Sequence, residues 1–197
     1  MDWNERLKQR VEVIRHLRPS RIAPTVSIRK DLQADLLGDE EETRLARLCK
    51  AAYRALDVDP LFAGRYDGKL RLKLLEKGPV LKVGKDGGQR WMQLDHMDSK
   101  ADLDVWRKAL VGKGTDFMDR VREQGRAGLE ILDLSCLGVR DWRGVVASPQ
   151  VARLVLLAAI DLPAGRVHPV VLDFDHKLSD AGRAARFIDA LSTGLDA

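Results

Sequence analysis

Apolar positions recur along this chain in two rhythms, one of helical and one of strand period, and the rhythm sets the expected elements. Trp3, Leu7, Val11, Ile14 and Leu17 fall on one stripe, which predicts a first helix that Asp2 caps. Arg18-Pro19 ends it, because the residue before proline is pushed out of the helical region. Ser27 then reads as the cap of a short helix carrying Ile28, Leu32 and Leu36, stopped at Gly38. Asp39 and Glu42 have capping-box spacing, and a third helix follows with Leu45, Leu48, Cys49, Ala52, Tyr53 and Leu56 on one face, ending near Asp59-Pro60.

The rhythm changes to a period of two at Lys69. Lys69, Arg71 and Lys73 alternate with Leu70, Leu72 and Leu74, which puts cations on one face of a strand and leucines on the other. Gly78-Pro79 breaks this run, Val80 to Gly84 returns, and Asp86-Gly87-Gly88 supplies a turn before Gln89 to Leu94, so a three-stranded antiparallel meander is expected.

Residues 95 to 99 form a polar linker, which predicts a boundary between a lobe of residues 1–94 and one of residues 95–197. The second lobe is expected to be mostly helical. Leu103, Trp106 and Leu110 mark one helix ended by Gly112, and Phe117, Met118 and Val121 another ended by Gly125. The run Gly128 to Gly138 fits strand or helix equally. Ser148-Pro149 opens an expected buried helix through Ile160, Val167 to Phe174 reads as a buried strand, and Ser179 is expected to cap a last helix with Ala184, Phe187, Ile188 and Leu191. The expected class is α+β: an N-terminal half of three helices and a basic β-meander, winged-helix-like in order, and a mostly helical C-terminal half with one or two strands.

Composition changes this picture only through the placement of charge. The chain has 197 residues and a formal net charge of +4, with 45% hydrophobic and 32% charged residues, an ordinary globular balance. Residues 1–30 carry eight Lys or Arg against three acids, residues 31–64 carry four against eight, and Arg65 to Arg90 carry eight against three. Nearly all the basic excess therefore lies in the first ninety positions, and it predicts contact with the phosphate backbone of DNA or RNA through Arg10, Arg15, Lys69, Arg71, Lys73 and Lys82. Glu40, Glu41 and Glu42 beside Asp39 argue against the third helix as a groove reader, since carboxylates repel phosphate. No apolar run approaches the roughly 18 residues of a membrane span, and the first thirty residues lack an apolar signal-peptide core, so a cytoplasmic location is expected. Cys49 and Cys136 are far apart and flanked by apolar residues, the pattern of buried thiols.

Candidate chemistry is sparse. G-x-S-x-G, G-x-x-x-x-G-K-[ST], G-x-G-x-x-G and H-E-x-x-H are absent from the sequence. His168, Asp173, Asp175 and His176 are candidate metal ligands by type, but their spacing matches no recurring zinc pattern, and no metal or cofactor is assigned. Val170 to Asp175 resembles the first motif of haloacid-dehalogenase-type phosphotransferases. That resemblance implies Asp173 as nucleophile and Asp175 as general acid, with Mg²⁺ held by carboxylates; here His176-Lys177 stand where that family has Gly-Thr. The segment around Trp142, Leu137 to Val145, resembles a Trp-centred segment of some tailed-phage tail assembly proteins, which implies a structural role; in that reading apolar faces around Trp106 and Trp142 join a protein partner or homo-oligomer. The expectation from sequence is thus a non-enzymatic nucleic-acid-binding protein, with a phage or mobile-element assembly protein as the alternative.

Overall fold

The computed structural model describes residues 25–66, 72–73, 79–95, 97–111, 115–116, 128–146 and 150–196. The expected first helix, Arg10, Arg15, Lys69, Arg71, His16 and His96 lie outside them. The described chain begins with strand β1 (Thr25–Gln33), the four-residue helix α1 (Ala34–Leu37) and the long helix α2 (Glu41–Ala55). A single 3-10 turn (Pro60–Ala63) leads to the two-residue strands β2 (Arg65–Tyr66) and β3 (Leu72–Lys73), which pair only with each other. Then come β4 (Leu81–Lys85), β5 (Arg90–Leu94), helix α3 (Leu103–Leu110) and β6 (Thr115–Asp116). The remainder is β7 (Leu129–Asp133), β8 (Ala152–Leu156), β9 (Ile160–Leu162), β10 (Gly165–Asp175) and helix α4 (Ala181–Leu195).

Eight of these strands form one mixed sheet in the order β1-β10-β8-β7-β4-β5-β6, with β9 pairing β10. β7 runs parallel to both β4 and β8, whereas the remaining pairs are antiparallel. Strands from both sides of residue 94 share this sheet, so one hydrogen-bonded framework joins the two halves of the chain.

This architecture replaces the expected winged-helix-like half and mostly helical second half. Residues 25–33 are strand rather than helix, because Val26, Ile28, Lys30 and Leu32 also satisfy a period of two and turn together toward the helices. The expected helix of residues 148–160 is strand β8 followed by β9: its nearly unbroken apolar run suits a strand buried on both faces, which periodicity alone does not separate from a buried helix. Of the expected meander, β4 and β5 pair around the Asp86–Gly88 turn, but Leu72–Lys73 pairs with Arg65–Tyr66 instead. The helices expected over the third apolar stripe, around Trp106 and at the C-terminus are present as α2, α3 and α4.

The main core lies between α2, α3 and α4 and one face of the sheet, where Leu45, Leu48, Leu81, Leu129, Leu154, Leu172, Phe174 and Phe187 are all buried. Phe62 of the 3-10 turn stands edge-on to Phe174 of β10 and Phe187 of α4, with centroids 5.7 and 4.9 Å away. That trio clamps the turn under the junction of β10 and α4, each pair adding about 0.5–1.5 kcal/mol beyond the area it buries. A smaller cluster of Trp91, Leu132, Leu134, Val155, Leu157 and Val171, with Trp142 beside it, occupies the opposite face.

Candidate active site

The β10–α4 junction concentrates the polar chemistry of the described chain. β10 is buried along its last nine residues and ends at Asp175; His176, Lys177 and Leu178 turn, and Asp180 caps α4 by accepting the backbone N–H of Arg183 at 2.8 Å. This bond, with Arg183 and Arg186 close by, holds the Asp180 carboxyl below the usual carboxylate range. The local reason for the turn is hydrogen bonding: the carbonyl of Asp175 accepts the N–H of Leu178 at 3.0 Å and of Ser179 at 3.4 Å.

Asp175 itself is buried, with both carboxylate oxygens engaged. Oδ2 accepts the Tyr66 hydroxyl at 2.6 Å and Oδ1 the N–H of Lys177 at 2.9 Å. Burial, then the bond to Asp175, pushes the Tyr66 phenol well above its ordinary value, so it remains a proton donor. The position of Asp175 two residues after Asp173 brings the two carboxylates to the same side of β10, as the alternation predicts, but each is occupied by protein donors.

His176 projects from this rigid turn and is exposed. Its Nδ1 lies 3.3 Å from the carbonyl oxygen of Ser179. A carbonyl has no proton to give, so Nδ1 is the donor in this bond, and Nε2 carries the lone pair on the neutral ring. The arrangement is therefore a base with its free nitrogen turned away from the turn that holds it. His168, at the other end of β10, is buried and donates Nδ1–H to the Leu157 carbonyl at 2.8 Å; burial pushes its imidazolium below the ordinary value. The two histidines are eight positions apart on one extended chain and do not form one site.

A second polar feature crosses the sheet on the face away from the helices. Register places Ser27 opposite Asp173, Asp173 opposite Arg153, Arg153 beside Glu130, Glu130 beside Lys82 and Lys82 opposite Gln93. Asp173 is fully buried and accepts the Ser27 hydroxyl at 2.5 Å and the Trp142 indole N–H at 2.7 Å. Arg153 Nε reaches the buried Glu130 at 2.5 Å. Gly144 is needed where this segment passes the ladder, since a Cβ there would stand 2.6 Å from both Asp173 Oδ2 and Trp142 Nε1.

The sequence-derived site residues scatter over this framework. Lys82 is 8% exposed as the second residue of β4, and Lys73 lies in the two-residue β3. Trp106 is wholly buried in α3, edge-on to Tyr53 at 5.6 Å, whereas Trp142 is half-buried and tied to Asp173. Among the described residues no group of three or more His, Cys, Asp or Glu is placed to hold a metal ion. Cys49 is buried, as expected, and Cys136 is exposed. The role of His176 was not read from sequence as a base. Its available signal was a histidine closing a buried strand, with an aspartate helix cap four positions later.

No family model matches the chain, and no curated protein sequence matches it. Solved structures do match in fold. The catalytic core of the 2-oxoacid dehydrogenase multienzyme complex from Thermoplasma acidophilum aligns with a TM-score of 0.67 at 15% identity, over 100% of this chain and 95% of that one. A chloramphenicol acetyltransferase aligns at 0.67 and 17% identity, over 98% and 96% of the two chains. The dihydrolipoamide acetyltransferase of Azotobacter vinelandii aligns at 0.66 and 17%, over 98% and 87%. The Azotobacter structure was studied for the role in catalysis of a serine, a histidine and, four positions after the histidine, an asparagine.

These matches overturn the expectation of a non-enzymatic nucleic-acid-binding protein and with it the winged-helix assignment: the chain has the fold of an acyltransferase core. The phage-assembly alternative finds no support in them either. No helix among the described residues is long and apolar enough to cross a membrane.

Proposed function

We propose that the protein is an acyltransferase in which His176 is the general base. The observation that carries this reading is the His176 ring itself: its Nδ1 is engaged by the Ser179 carbonyl on a turn fixed by Asp175, which leaves Nε2 of this exposed residue to take a proton. The fold of acetyltransferases and the presence of Asp180 four residues after His176, the histidine-to-asparagine spacing of the Azotobacter enzyme, support the same assignment.

Nε2 removes the proton from a thiol or hydroxyl of the acceptor as that atom attacks the acyl carbonyl. The new bond to the acyl carbon forms, the bond to the leaving group breaks, and His176 returns the proton to the departing atom. A positioned base of this kind contributes about 10²- to 10⁴-fold in rate. The buried Asp175 keeps the turn in place without itself meeting the substrate. The multienzyme-complex core among the structural matches further supports self-association of this chain, which light scattering on a sizing column reads directly.

The direct test is acyl transfer from acetyl-coenzyme A to dihydrolipoamide as thiol acceptor and to chloramphenicol as hydroxyl acceptor, with wild type and His176→Ala compared. Transfer that falls at least about 100-fold in the variant agrees with the assignment. Absence of transfer to both acceptors, or transfer indifferent to His176→Ala, overturns it.

A further inference from the structure

We propose that Asp59 and Ser179 are positioning residues that hold His176 in the one tautomer a base can use; this rests on the reading of His176 as the base. Asp59 is completely buried at the head of the Pro60–Ala63 turn, more than a hundred positions from the histidine in sequence. Its Oδ1 accepts the Leu61 N–H at 3.3 Å, and its Oδ2 accepts the Ser179 hydroxyl at 3.0 Å. Ser179 is buried as well, and its N–H is bound by the Asp175 carbonyl at 3.4 Å. The following residue, Asp180, is committed to capping α4.

Ser179 is therefore held through its side chain, through its N–H and through its successor, so its carbonyl has one direction, and that direction meets His176 Nδ1 at 3.3 Å. The hydroxyl of Ser179 sets where the backbone oxygen points, and the backbone oxygen sets which nitrogen carries the proton. Asp59 in turn fixes the hydroxyl, and the Phe62 trio fixes the turn that bears Asp59. A helix cap alone does not require this hydroxyl, because the capping side chain is that of Asp180.

The experiment is a long-range ¹H–¹⁵N correlation spectrum of the full chain, with the His176 ring assigned by His176→Gln, recorded beside steady-state acyl transfer. In wild type the ring shows a single tautomer with the proton on Nδ1. In Ser179→Ala the two tautomers become mixed, and kcat falls roughly tenfold to a hundredfold, a fraction of what a well-placed base supplies, with KM unchanged. Ser179→Thr, which keeps the hydroxyl, restores both. Should Ser179→Ala fail to fold, Ser179→Cys, of nearly the same volume but a weak donor, gives the same readout. A single Nδ1–H tautomer that persists in the variants overturns the proposal. If wild type transfers no acyl group, the functional reading falls, while the spectra of the Ser179 variants still decide whether the Ser179–Asp59 hydrogen bond sets the tautomer.

Discussion

Removal of the Asp173 carboxylate tests whether the polar ladder across the sheet is a structural keystone. The side chain is 0% exposed and binds a hydroxyl from β1 and an indole N–H from the Trp142 segment, so Asp173→Ala takes the acceptor from the half-buried Trp142 indole and from the hydroxyl of the exposed Ser27. Hydrogen bonds to an ionised acceptor contribute about 1.5–3 kcal/mol each, hence about 3–6 kcal/mol for the pair. Relief of the buried charge offsets part of this, but Arg153, in register beside it, loses a neighbouring anion. The expected net loss is about 3–5 kcal/mol, the range for breaking a buried charged arrangement. At about 2–4 °C per kcal/mol for a chain of this size, the melting temperature falls by about 6–20 °C. Asp173→Asn costs less than half as much, since its amide oxygen still accepts from Trp142 and its NH₂ donates to the Ser27 hydroxyl. Guanidinium and thermal unfolding of both variants measure this. If alanine and asparagine each change stability by less than about 0.5 kcal/mol, the size expected of an ordinary surface substitution, the ladder has no such role.

Three other outcomes follow from the same fold. Gly128→Ala places a Cβ 1.9 Å from the Ala63 carbonyl oxygen, so backbone must move and the Pro60–Ala63 turn with it; thermal unfolding should show a loss above about 3 kcal/mol, and an unchanged melting temperature would contradict the packing. Phe62→Ala empties the contact between Phe174 and Phe187 and is expected to cost about 3–5 kcal/mol in chemical unfolding. The depressed imidazolium of buried His168 means the unfolded chain binds its proton more readily than the folded one. Its stabilising contribution is complete above the ordinary value of 6.5 and declines as pH drops below it until the lowered folded value is passed. His168→Gln should flatten that part of the stability–pH curve, and an unaltered slope would rule the group out.

Short-range rules made the helices legible. Residues 41–55 carry apolar positions at helical spacing, acids in the first turn and a basic residue in the last, so local preference and tertiary placement agree. The strand of residues 167–174 was equally plain, because a run of branched apolar residues ending in polar turn residues suits a central strand. Residues 25–33 and 151–160 were not legible: in the first the apolar positions fit both periods, and in the second the run has no polar face, so burial on both sides of a mixed sheet made the choice.

The functional site shows the same division. The sequence alone established a buried strand closed by His176, the absence of the common catalytic motifs and a basic first half whose charge suggested nucleic acid, and it put the cap of the last helix at Ser179, where the structure has Asp180. Only the tertiary structure decided that Lys82 is buried, that Trp106 is core, and that Asp173 and Asp175 are already occupied by Ser27, Trp142 and Tyr66. It also brought Asp59 to Ser179 across 120 positions. Charge composition reports how many cations a segment has and not which way they face, whereas the lone pair of His176 is freed by a hydrogen bond whose direction is set by contacts between distant parts of the chain.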